Sequence, residues 1–174
     1  MKVARLPYIL VILAFLLVSC SPGSEADFEA DVDADAEILN MAGGFLAYQR
    51  GDYAEALRNW SSLAEQGNVK AQVLLGSLHR LGRGFPQDDV KAARWLRMAA
   101  EQGDIDGQVQ IGQMYALGAG VPRDYVLAYK WLELAIAQGE KEAAIPRNTF
   151  VGAMTPAQIA EAQRLAREWL AERE

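Results

Sequence analysis

The sequence predicts an all-α fold, a solenoid of stacked antiparallel helix pairs, on three observations. Displacing the chain by 36 residues aligns Asn68–Gly103 with Asp104–Gly139 without a gap, and 15 of the 36 positions are identical. Average residue usage would give about two or three identities. Within the first copy, Ala71, Leu75 and Leu78 recur at i, i+4 and i+7, and Ala92, Trp95, Leu96 and Ala99 at i, i+3, i+4 and i+7. Each series places one apolar stripe on one helix, with no alternation of the kind a strand requires. The punctuation agrees: Asp88 and Asp124 stand where they would cap the second helix of each copy, and Gly103 and Gly139 where a left-handed residue would end it.

The chain opens with Lys2 and Arg5, followed by an uncharged apolar run of 11 residues, Tyr8–Val18. A basic start and a short apolar run form the grammar of a secretory signal. The run is too short for a membrane-spanning helix, which needs about 20 residues. It ends in "LVSC", Leu17–Cys20, which resembles the bacterial lipobox. The resemblance implies a lipoprotein signal peptide over residues 1–19 and a mature chain that begins at an acylated Cys20. Cys20 is the single cysteine, so no intramolecular disulfide forms. Several acyl chains on one residue hold a protein firmly at a membrane surface. The Ser21 that follows, by the enterobacterial sorting pattern, implies the outer membrane, facing the periplasm.

Residues 20–37 change in composition. The stretch Ser21–Glu37 holds seven acids and no base, too polar to bury a core, and reads as an acidic flexible tether. Without the signal segment and the tether the chain carries 15 bases and 16 acids. This near-neutral body has no basic patch, which argues against a nucleic-acid partner.

The remaining 137 residues, Ile38–Glu174, suit one domain. Residues 38–67 resemble a tetratricopeptide-type helix pair with the short loop "RGDY". The copies 68–103 and 104–139 follow. In the second, "ALGAGVPRDY" (Ala116–Tyr125) sets Gly118-x-Gly120 before a proline, the kind of loop that can cradle a phosphate. No strand precedes it, and Gly82, Gly84 and Pro86 repeat it in the first copy, so both loops read as helix–helix turns. Residues 140–174 form a closing segment: a helix expected to be interrupted at Pro146, then one starting at Thr155-Pro156-x-Gln158 with a capping box. Its stripe of Ile159, Ala162, Leu165, Ala166, Trp169 and Leu170 would close the open end of the stack.

These residues carry a resemblance. The first copy supplies Ala71, Leu75, Gly76, Gly82, Gly84, Pro86, Asp88, Ala92, Trp95, Ala99 and Gly103. The second supplies Gly112, Tyr115, Gly118, Gly120, Val121, Pro122, Asp124, Ala128, Trp131, Ala135 and Gly139. At these offsets the chain resembles the Sel1-like repeat, a relative of the tetratricopeptide repeat; it departs at His79, Phe85, Gly107 and Ile111. The resemblance implies an interaction module whose first helices line a concave groove. The positions implied for that face are Lys70, Val73, Ser77 and Arg80 in the first copy, and Asp106, Val109, Gln113 and Ala116 in the second.

No chemistry competes with this reading. The one histidine, at a position that resembles the family's core tyrosine, reads as a packed or partly exposed helix residue, no second cysteine exists for thiol catalysis or zinc, and the acidic pairs fall at helix starts. The expectation is therefore no enzyme, with no catalytic, cofactor-binding or metal residues. Two function classes follow: a lipid-anchored cell-envelope scaffold gripping a protein or peptide, such as a peptidoglycan-remodelling enzyme, or a peptidoglycan-binding protein or enzyme using the same groove.

Overall fold

A computed structural model of the chain describes residues 23–173, with side chains from residue 36. The signal segment and Cys20 lie outside the described residues. Helices occur in the order α1 (Gly23–Gln49), α2 (Tyr53–Glu65), α3 (Val69–Leu81), α4 (Asp89–Glu101), α5 (Ile105–Leu117), α6 (Tyr125–Ala137), α7 (Ala144–Phe150) and α8 (Pro156–Ala171). Short 3₁₀ turns, Lys141–Ala143 and Val151–Ala153, flank α7. Among the described residues there is no strand, as the helical periodicity predicts. None of their helices is long and apolar enough to cross a membrane.

The chain divides into two units, one ending at Leu39 and the other spanning Asn40–Glu174. From Gly23 the acidic stretch is helical, where the sequence reading expected a flexible tether.

In the larger unit, α3 packs on α4 and α5 on α6, and each pair packs on its neighbours. The close approach falls at glycine. A Cβ on Gly76 would stand 2.5 Å from Leu96 Cγ, and one on Gly112 2.9 Å from Leu132 Cγ. Asp52, Asn68, Asp88, Asp104 and Asp124 each accept a backbone N–H at a helix start. Gly82 and Gly118 end α3 and α5 in the left-handed conformation that only glycine adopts cheaply.

Two buried clusters form the core. Around Trp60, Ala56, Leu63, Leu75 and Leu78 the first pair meets α3. Around Leu96, Ile111, Met114, Trp131 and Leu132 the later pairs meet α8 through Ala162 and Ala166. Thr155 and Gln158 make the expected capping box. Pro146, by contrast, lies in the first turn of α7 and interrupts nothing. First-turn N–H groups have no intrahelical partner, so the missing donor costs no bond there.

A hydrogen-bond ladder spans the pairs. Gln72 and Gln108 are fully buried. The Gln72 amide donates to the Ala64 carbonyl at 3.2 Å and accepts from Gln102 at 2.8 Å. The Gln108 amide donates to the Ala100 carbonyl at 3.5 Å and accepts from Gln138 at 2.8 Å. α3 and α5 are each thereby tied both to the end of the preceding second helix and to the end of their own partner.

Candidate partner-binding groove

The end of α1 and then α3, α5 and α7 line one side of the larger unit. Two clefts open along it. One, about 340 Å³, lies between α1 and α3, walled by Phe45, Trp60, Leu74, Leu78 and Leu81 among others. The second, about 260 Å³, lies between α5 and the start of α7, walled by Asp106, Gln110, Gln113, Glu140, Glu142 and Pro146 among others. Between them the α3–α5 seam is closed by two contacts. Ser77 Oγ donates to Gln110 Oε1 at 3.3 Å, and Lys70 Nζ stands 3.6 Å from an Asp106 carboxylate oxygen.

Most of the positions implied by the repeat resemblance come together here. Lys70 and Asp106 are exposed and paired, Ser77 lies in the seam, and Val109 and Gln113 wall the second cleft. Ala116 is half-buried. Val73 differs: at 5% exposure it belongs to the core, packed with the following pairs, and is withdrawn from the groove. Arg80 is half-buried, and its Nε is buried without a hydrogen-bond partner. The resemblance missed Phe45, Leu74 and Leu81. Leu74 and Leu81 share the helical face of Lys70 and Ser77, at i, i+4, i+7 and i+11, a spacing readable from the sequence.

The G-x-G loops serve stacking rather than phosphate. A Cβ on Gly84 would lie 2.8 Å from Tyr53 Cβ, and one on Gly120 only 2.0 Å from the Asp89 carbonyl oxygen. Each second glycine lets its loop sit against the preceding pair's second helix. Arg83, in the first loop, donates to Tyr48 Oη, with its guanidinium carbon 5.4 Å from that ring's centre.

His79 sets no catalytic geometry. Its ring packs on Phe85, centroids 5.0 Å apart, and Nδ1 is buried without a hydrogen-bond partner. Burial holds its pKa below the usual histidine value; Lys91 adds to the effect and Asp88 opposes it. With the folded pKa below the unfolded one, this contribution is intact above pH of about 6.5 and declines as pH falls through that value. Lowering the pH from 7.5 to 5.5 should therefore lower Tm. His79→Tyr, which installs the residue the second copy carries at Tyr115, should flatten that dependence; an unchanged slope would show that other groups set it. Among the described residues no three histidine, cysteine or acidic side chains gather as a metal site.

Residues 39–68, 69–104 and 105–140 each match the Sel1 repeat family. The first match covers the pair whose short loop reads as tetratricopeptide-type. Among solved structures, a protective antigen of uropathogenic Escherichia coli strains, displaying an SLR fold, superposes with a TM-score of 0.72 at 29% identity. The alignment covers 78% of this chain and 30% of that one, so this chain spans under a third of the antigen's length. A Sel1 repeat protein from Oxalobacter formigenes superposes with a TM-score of 0.60 at 30% identity, over 72% of this chain and 98% of that one. No curated protein matches the chain.

Proposed function

The chain belongs to the Sel1 repeat family, and we propose that it is a cell-envelope scaffold or adaptor that holds a protein or peptide partner in the groove along α1, α3, α5 and α7. The Sel1 repeat fold commonly mediates protein–protein interaction, and its scaffolds are generally non-enzymatic. The observation that carries the reading is the pair of clefts on the first-helix side, one on either side of the Ser77–Gln110 seam. Stacked helix pairs provide extended surfaces of this kind, and partners bind through a few well-placed side chains.

Placement at the envelope rests on the sequence. The "LVSC" run supports acylation of Cys20 and a lipid anchor at the membrane, with the repeats displayed on the periplasmic side of the outer membrane. A peptidoglycan-remodelling enzyme is the partner class that such a position favours.

Two measurements test the proposal. Cys20→Ala should abolish labelling by a fatty-acid analogue and move the protein to the soluble fraction; retained labelling would remove the anchor. A photo-crosslinking residue at Ser77 should form an adduct with a partner protein in native membranes. The same residue at Arg94, exposed on the second helix α4, should not. Adducts from Arg94 alone would place binding elsewhere, and turnover of peptidoglycan fragments by the purified chain would replace the scaffold with an enzyme.

A further inference from the structure

The two clefts are chemically opposite. The α1–α3 cleft is apolar, and its rim leaves large apolar side chains in water, Phe45 at 39% exposure and Leu81 at 52%. Covering such surface is favourable by about 25 cal/mol per Å². The cleft beyond the α3–α5 seam is acidic: Asp106, Glu140 and Glu142 wall it, and no base does. Lys70, at its edge, is already paired with Asp106. We infer that the groove binds an extended peptide segment of mixed chemistry, a bulky apolar anchor in the α1–α3 cleft and lysine or arginine side chains in the acidic cleft. This rests on the reading of the first-helix side as the binding face and adds what that face selects.

Charge decides among occupants. The chain's own Ser21–Glu37 stretch, with seven acids and no base, would meet like charge in the acidic cleft. A basic segment gains there, most of all at low salt. Spacing follows from helix packing. Two helices, α3 and α5, lie between the clefts, and each is about 10–12 Å across with its side chains, so the clefts are ~20 Å from each other. An extended chain advances about 3.3 Å per residue, which puts anchor and cations about six residues apart.

The test uses the purified full chain and fluorescent synthetic peptides with Leu-Phe at one end, a Ser/Gly spacer of five residues, and Lys-Lys at the other, in both chain directions. In at least one direction this peptide should bind at least tenfold tighter than versions with Glu-Glu for Lys-Lys or Ser-Ser for Leu-Phe. Raising the salt should narrow the charge preference. Leu81→Asp should weaken binding at least tenfold with the helical signal unchanged. Asp106→Lys together with Glu142→Lys should reverse the preference toward the Glu-Glu peptide. Equal binding of the Lys-Lys and Glu-Glu peptides, no binding in either direction, or a dimer that Leu81→Asp dissociates would each overturn the inference. If the Ser77 adduct persists under those outcomes, only the selectivity fails; if it is also missing, the binding face itself is wrong.

Discussion

Gly120→Ala is expected to destabilise the larger unit by about 2–5 kcal/mol, whereas Gly139→Ala should cost only about 1–2 kcal/mol. The two glycines share a left-handed backbone, φ +67° and +104°. A side chain at either incurs the strain of that conformation. They differ in surroundings. A Cβ on Gly139 meets nothing within 4 Å, while one on Gly120 would sit 2.0 Å from the Asp89 carbonyl oxygen and 2.7 Å from the Val90 nitrogen. Both obstacles are backbone, so no rotamer change relieves the clash. Either the α5–α6 loop lifts off the start of α4 or α4 shifts, and the contact between successive pairs loosens. At about 2–4 °C per kcal/mol for a domain of this size, Tm should fall by roughly 5–20 °C for Gly120→Ala and by a few degrees for Gly139→Ala. Equal losses would mean that backbone conformation, not the close approach, is what this glycine provides.

Gly120 also shows where reading the sequence stops. The repeat length, the helix pairs and their caps were legible because they are local or periodic: aspartate caps and apolar stripes act within a few residues. The loop glycine was legible only as a turn. Its second role depends on Asp89, a residue of the preceding pair that nothing in the loop announces. The same holds for Val73. Its position off the Ala71–Leu75–Leu78 stripe pointed to the groove, yet the next pair covers it, because a helix inside a solenoid packs on more than one side. Lys70, Ser77, Asp106, Val109 and Gln113 did gather on one side, since helical spacing fixes what shares a face. The apolar character of the α1–α3 cleft was hidden because Phe45 belongs to a pair with a shorter loop, out of register with the 36-residue repeat.

The glutamine ladder offers the second large effect. Gln108→Glu changes one amide nitrogen to oxygen at a position with no exposure. The new carboxylate can still accept from Gln138, but it has no proton for the Ala100 carbonyl and turns a charge and an oxygen toward that acceptor. Burying an ion with no cation beside it costs several kcal/mol, and the group responds by raising its pKa. The sign of the pH dependence follows. A carboxyl whose folded pKa exceeds its unfolded value near 4.3 is tolerated while protonated and destabilises increasingly as pH rises through the folded pKa. Gln108→Glu should therefore be strongly destabilised at pH 7.5 and recover much of its Tm at pH 5, against the acid trend expected from His79. Gln108→Leu is the control. It removes the same hydrogen bonds without adding charge, and should lose about 1–3 kcal/mol with no added pH dependence. If the two variants melt alike at pH 7.5, the position reaches water. If only the glutamate variant collapses at neutral pH, the seam around Gln108 is dry and rejects a charge, and the smaller loss in Gln108→Leu measures what the hydrogen bonds to Ala100 and Gln138 contribute.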